Sequence, residues 1–183
     1  MDKSVPPCGT GSSICADRRR RRCCATNSAC AWAKHGVEVA AINGHLTGCE
    51  IKGSQDRLTR LPRQVNLYGQ VLDYAVLVVE PKLAVTAPQH VPDWWGIWQA
   101  ENVDGQVLLS ELRSPKLNTV TVSLAVAQLL WRREAYDELA KREAVRGLAK
   151  ATRWRLWATL VDLLEPAELA TVLRERLKAR REW

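Results

Sequence analysis

Tyr74, Ala75, Val76, Leu77, Val78 and Val79 follow one another without a charge, and three of the six are valine. A short run this rich in β-branched side chains fits a strand that its sheet neighbours cover. It is far shorter than the ~20 apolar residues of a membrane span, and no other apolar run approaches that length. The flanking patterns are read outward from this strand. Upstream, Val37, Val39 and Ala41 alternate with Glu38, Ala40 and Ile42, which predicts a strand. Asn43-Gly44-His45 supplies a turn, and residues 46–52 supply a second strand. Asp56 is placed to cap a helical stretch over 57–72, with Leu58, Leu61, Val65 and Leu72 on one face. Pro62 either interrupts that helix or opens it at its first turn, leaving 56–61 as a separate turn.

Downstream, strands are expected at 96–100 and 106–111, divided by Asp104-Gly105. Helices follow over about 120–146, 151–164 and 166–181. Trp131, Trp154 and Trp157 fall in those helical patterns and read as core of the C-terminal layer. Trp94, Trp95 and Trp98, clustered behind Pro92, read as packing rather than as a base-stacking platform. Strands and one helix come first and a run of helices last, so the class is α/β with a helical C-terminal layer. A chain of 183 residues with 46% hydrophobic side chains can bury such a core.

The net charge of +7 suggests nucleic acid until it is located. Residues 1–34 hold Lys3, five arginines at 18–22 and Lys34 against Asp2 and Asp17, seven cations to two acids, or +5. The rest of the chain carries only about +2. Five of the six cysteines (Cys8, Cys15, Cys23, Cys24, Cys30) fall in the same stretch without a CxxC pair, so neither a zinc site nor a disulfide framework is expected. The expected organisation is a basic, poorly ordered segment over 1–34, an α/β core over 35–118 and a helical extension over 119–183 packed on that core. The leading segment shows no secretory pattern, which makes a cytoplasmic protein the expectation.

Chemistry concentrates around the first two strands. Strand alternation puts Glu50 and Lys52 side by side on one face. A three-residue loop at 43–45 pairs Ile42 with Leu46, Ala40 with Gly48 and Glu38 with Glu50; a two-residue turn sets Glu38 against Cys49 instead. The first register is the expectation. Two facing carboxylates repel unless a cation lies between them, and hard oxygen ligands are what Mg²⁺ prefers. The competing reading is an exposed hairpin face carrying an ordinary Glu-Lys pair of little energetic weight.

Glu50-Ile51-Lys52, preceded by an acidic residue in the neighbouring strand, resembles the D-x(n)-ExK signature of the PD-(D/E)xK nucleases. Gln64-Val65-Asn66-Leu67-Tyr68 is similar to the QxxxY motif of their RecB-like branch. The stretch 50–68, with Val91-Pro92-Asp93-Trp94-Trp95-Gly96 and a helical C-terminus after it, also resembles an uncharacterised bacterial family of small proteins with this fold. The likeness covers about 36–183, and its motifs are specific over 38–68. Glu38 stands where that family usually has Asp.

The resemblance implies a PD-(D/E)xK (restriction-endonuclease-like) core with a mixed sheet flanked by helices. It also implies a metal-dependent DNA endonuclease-like activity that hydrolyses phosphodiester bonds, in repair or mobile-element processing. Glu38, Glu50 and the Ile51 carbonyl would hold Mg²⁺ or Mn²⁺. Lys52 would orient and help deprotonate the attacking water, Gln64 would complete the catalytic set, and Arg57, Arg60, Gln64 and Tyr68 would contact DNA. The alternative function is a catalytically inactive module of the same fold, binding DNA or a protein partner. His35, His45 and His90 have no nucleophile at a meaningful spacing, and no GxxxxGK[ST] or GxGxxG loop is present, so neither a hydrolase triad nor a nucleotide cofactor is expected.

Overall fold

The computed structural model describes residues 39–56 and 58–180. Strand β1 (Val39–Asn43) turns directly into β2 (His45–Lys52). Gly44 sits at the apex with φ +73°, a conformation that costs glycine no Cβ clash. Ile42 pairs with Leu46 and Ala40 with Gly48, as the three-residue loop requires. Glu38 itself lies outside the described residues, as does Arg57.

Helix α1 (Leu61–Gly69) carries the chain from β2 to β3 (Tyr74–Val79), which runs parallel to β2. Helix α2 (Pro81–Ala84) and a 3₁₀ turn at Ala87–His90 lead to β4 (Gly96–Val103), parallel to β3. β5 (Gln106–Arg113) then returns antiparallel. The result is one five-stranded mixed sheet in the order β1-β2-β3-β4-β5. Its last hairpin closes on Asp104 (φ 52°) and Gly105 (φ 81°), the pair of positive φ values that suits the twist of a two-residue hairpin.

Period-two alternation sorts the side chains. Ala40, Ile42, Leu46, Ala75, Leu77, Val79 and Ile97 face the helices and merge with them into one core. Each fully buried Val, Leu or Ile among them contributes about 1.5–3 kcal/mol before entropy is charged against it. Cys49, Val76 and Val78 form a second, smaller cluster on the opposite face. β3 is buried on both sides, as its uninterrupted apolar run predicts.

The C-terminal layer comprises α3 (Ser123–Ala127), α4 (Arg132–Lys141), α5 (Arg153–Leu163) and α6 (Pro166–Ala179). Leu130, Leu139, Leu156, Leu160, Leu169 and Leu177 are its buried spine, continuous with the sheet's core. No helix among the described residues is long and apolar enough to cross a membrane.

Four sequence expectations need correction. The expected helix over 57–72 is shorter: Leu58–Arg60 is a 3₁₀ turn and Pro62 lies in the first turn of α1, so the proline opens the helix. Asp56 caps no helix; its carboxylate accepts from Gly53 N at 2.8 Å and closes the turn after β2. The single helix expected over 120–146 is two, because Trp131 is extended (φ −66°, ψ 156°) and its N–H donates to the Glu134 carboxylate at 2.7 Å, starting a new helix. Trp157 is buried as expected, but Trp131 and Trp154 are 49% and 61% exposed and are not core. The basic, cysteine-rich 1–34 lies outside the described residues.

Candidate functional site

The site is built on the helix-facing side of β2. Glu50 and Lys52 point the same way, in register with Leu77 and Val79 of β3, and are 0% and 4% exposed. A charge placed among Leu77, Val79 and Ile97 is costly unless it is neutralised and hydrogen-bonded. Both conditions are met for Glu50. Lys52 Nζ donates to Glu50 Oε1 at 2.5 Å, Gln64 Nε2 donates to the same oxygen at 2.5 Å, and Tyr68 OH donates to Oε2 at 2.6 Å.

Sequence spacing explains why these groups meet. Lys52 is two residues along the same strand, and Gln64 and Tyr68 are four apart on α1, one turn of a single helical face. The short turn through Gly53 to Asp56 and the 3₁₀ turn bring α1 back over β2. Glu80, at the end of β3, fastens that turn by accepting from Ser54 N at 3.0 Å.

Tyr68 is held from behind. Its ring stacks on Trp95 with centroids 5.4 Å apart and planes 3° off parallel, and both rings are buried. Gln64 presents its NH₂ to the carboxylate, which fixes the amide orientation because the reverse flip would set oxygen against oxygen. The Gln64 Oε1 acceptor is buried and has no hydrogen-bond partner among the described residues.

The structure therefore brings together Glu50, Lys52, Gln64 and Tyr68. Arg60 stays at the surface beside the start of α1, and the Ile51 side chain packs on the opposite face of the sheet. Tyr68, 1% exposed, braces Glu50 instead of lining an open cleft. Trp95 and Glu80 were not anticipated as parts of the site. Trp95 was legible only as packing, and the sequence holds no local signal that ties Glu80 to Ser54, 26 positions before it.

For a divalent metal, the Glu50 carboxylate is a hard oxygen ligand of the type Mg²⁺ and Mn²⁺ take, and the buried, unpartnered Gln64 Oε1 beside it is an acceptor for a water on such an ion, so the residues present fit one. No group of three His, Cys, Asp or Glu side chains gathers among the described residues, and Glu38 lies outside them.

Fold and site together define an α/β protein whose five-stranded mixed sheet buries a Glu-Lys pair under a Gln/Tyr helix face. The family model described as bacteriophage P4 protein cII matches residues 28–182, and the chain belongs to that family. No curated protein and no solved structure matches it.

Proposed function

We propose that the protein is a metal-dependent nuclease of the PD-(D/E)xK type, acting on DNA phosphodiester bonds. The observation that carries this reading is the convergence of Lys52, Gln64 and Tyr68 on the single buried carboxylate of Glu50. These are the ExK and QxxxY residues whose spacing resembles that nuclease class. The phage name of the family supports mobile-element processing as the setting over DNA repair.

In this mechanism Glu50, Glu38 and the Ile51 carbonyl would hold Mg²⁺ or Mn²⁺. An ion there would supply Lewis-acid polarisation of the phosphate and acidify water. Lys52, oriented by its bond to Glu50, would position the attacking water, whose proton passes to solvent as its oxygen bonds phosphorus and the P–O bond to the leaving oxygen breaks, and would stabilise the charge that develops on the phosphoryl oxygens. Gln64 Oε1 accepts a hydrogen from that water and so fixes its lone pair toward phosphorus. Tyr68, clamped on Trp95, keeps Glu50 in one rotamer. Arg60, exposed beside the start of α1, would bind phosphate, as would Arg57 on the resemblance alone.

One observation favours a second reading. Glu50 and Lys52 are closed to solvent, as in a nuclease-fold module that binds DNA or protein without cleaving. Supercoiled plasmid and single-stranded DNA incubated with the full chain in Mg²⁺ or Mn²⁺ separate the two. Cleavage that disappears in Glu50→Ala and Lys52→Ala, both still folded by circular dichroism, is the expected result. DNA left intact by a folded, metal-loaded wild type would establish the inactive module.

A further inference from the structure

The helical layer carries a second surface with chemistry of its own. Between Ala144 and Val161 there are four cations, Arg146, Lys150, Arg153 and Arg155, and no acidic residue. All four are exposed, and none is in an ion pair among the described residues. Other arginines of this layer behave differently: Arg142, Arg174, Arg176 and Arg180 each engage a carboxylate. Four exposed cations within ten positions, with no carboxylate paired to them among the described residues, leave a local excess of positive charge that favours an anionic partner.

Two exposed tryptophans lie on the same helical layer. Trp154 is flanked in sequence by Arg153 and Arg155 and is 61% exposed; Trp131 is 49% exposed and carries the Arg180 guanidinium over its ring at 4.3 Å. The fold ties their neighbourhoods together. Arg132 Nη2 donates to Ala149 O at 2.8 Å, joining the start of α4 to the loop before α5. Trp157 Nε1 donates to Leu130 O at 3.1 Å, and the Trp154 ring meets Trp157 edge-on at 5.6 Å. Trp154 is thus held at an angle of 75° to a buried partner and keeps most of its surface in water.

We infer that this α4–α5 surface binds single-stranded nucleic acid, with Arg146, Lys150, Arg153 and Arg155 on phosphates and Trp154 stacking on an unpaired base. An exposed ring with exposed cations near it offers both things a single strand needs, a face to stack on and charge for its phosphates. A lipid surface would call for a contiguous apolar face, whereas here Trp154 is bracketed by arginines. The bases of a duplex are stacked on one another and offer no free face to that ring. This surface does not depend on any chemistry at Glu50, so it stands or falls apart from the nuclease reading.

The test is fluorescence anisotropy of a labelled oligothymidylate with the full chain in EDTA, across a salt series. In the Arg153→Glu/Arg155→Glu variant, affinity should fall at least tenfold at low salt, and the slope of log K against log salt should drop by roughly two phosphate equivalents. Trp154→Ala should weaken binding roughly tenfold while leaving the salt slope unchanged, because stacking releases no counterions. Replacing the arginines at 18–22 by alanine controls for the basic segment, and the effect of Trp154→Ala should persist in that background. Circular dichroism should match wild type throughout, since every altered side chain is exposed or lies in that segment. Binding that is lost only with the 18–22 arginines would overturn the inference. So would equal binding of duplex with no dependence on Trp154, or capture by phosphatidylserine vesicles through the same residues without oligonucleotide binding.

Discussion

Two buried glutamates, Glu50 on β2 and Glu138 on α4, each accept three side-chain donors and are 0% and 4% exposed. Their partners differ. Glu138 takes Lys141 at 2.9 Å, Arg142 at 2.8 Å and Arg176 Nε at 2.7 Å, all cations, and Arg142 goes on to Glu168 of α6. Burial pushes the Glu138 carboxyl up, but the Lys141, Arg142 and Arg176 bonds together outweigh it and hold it down to about 2. Glu50 takes one cation and two neutral donors. Glu138 is saturated with opposite charge and staples α4 to α6. Glu50 is held in place by neutral groups that leave its negative charge less compensated, which is what a carboxylate needs if it is to bind a cation. What surrounds a buried acid, more than its burial, distinguishes scaffold from site.

The largest expected effect is on stability. Glu138→Ala should cost about 3 to 5 kcal/mol in urea unfolding, because it leaves Arg142 and Arg176 facing each other across α4 and α6. Replacing the whole network, Glu50→Leu/Lys52→Leu with Gln64→Leu and Tyr68→Phe, should be close to neutral, since it removes both buried charges together with the two donors they would otherwise orphan. If this combined replacement unfolds the protein as thoroughly as Glu138→Ala, the distinction between staple and site is lost.

Activity should divide the other way. Lys52→Met is expected to lower plasmid cleavage by roughly 10² to 10³-fold, the loss typical of removing one positioned donor from developing charge. Glu138→Ala, assayed where it remains folded, should cleave at the wild-type rate per folded molecule. A matching drop in both variants would mean that the helical staple feeds the site.

The contrast also bears on what the sequence reveals. Glu50, Lys52, Gln64 and Tyr68 were legible because their convergence rests on two local periods, two along a strand and four along a helix. The β1-β2 register followed from Gly44 and the alternation on either side of it. The Glu138 cluster was half legible. Lys141 and Arg142 lie three and four residues on, but Arg176 arrives from 38 positions away through packing of the helical layer. The break between α3 and α4 was hidden because no Gly or Pro marks it. It depends on the Glu134 side chain reaching back to Trp131 and on the Trp157 indole reaching the Leu130 carbonyl. Trp131 and Trp154 misled for a related reason: an aromatic in a helical pattern reads as core whichever way it points. Leu156, Trp157 and Leu160 had already taken the inward face of α5.

Acid should expose the Glu138 staple selectively. Its folded-state carboxyl titrates near 2 against an ordinary 4.5, so its contribution is complete above about 4.5 and drains away as pH falls toward 2. A shift of that size corresponds to something on the order of 3 kcal/mol at neutral pH. Urea midpoints measured from pH 6 down to pH 2 should fall more steeply for wild type than for Glu138→Gln. Parallel curves would show that the three cations contribute far less than their geometry implies.

The smallest effects sharpen the comparison most, because they test single donors. Tyr68→Phe removes one hydrogen bond to a charged acceptor inside the core and should cost about 1.5 to 3 kcal/mol. Lys141→Met removes a full positive charge from Glu138 and should cost only a few tenths of a kcal/mol. The inversion follows from solvent. The Lys141 side chain is 63% exposed, and Arg142 and Arg176 still hold both carboxylate oxygens when it goes, whereas no water replaces the phenol next to the Trp95 ring. Thermal unfolding of the two variants side by side would measure this, with Tyr68→Phe lowering the midpoint by several degrees and Lys141→Met by one at most. The reverse order would place the less replaceable carboxylate on α4 and remove the physical basis for treating Glu50 as the one prepared for chemistry.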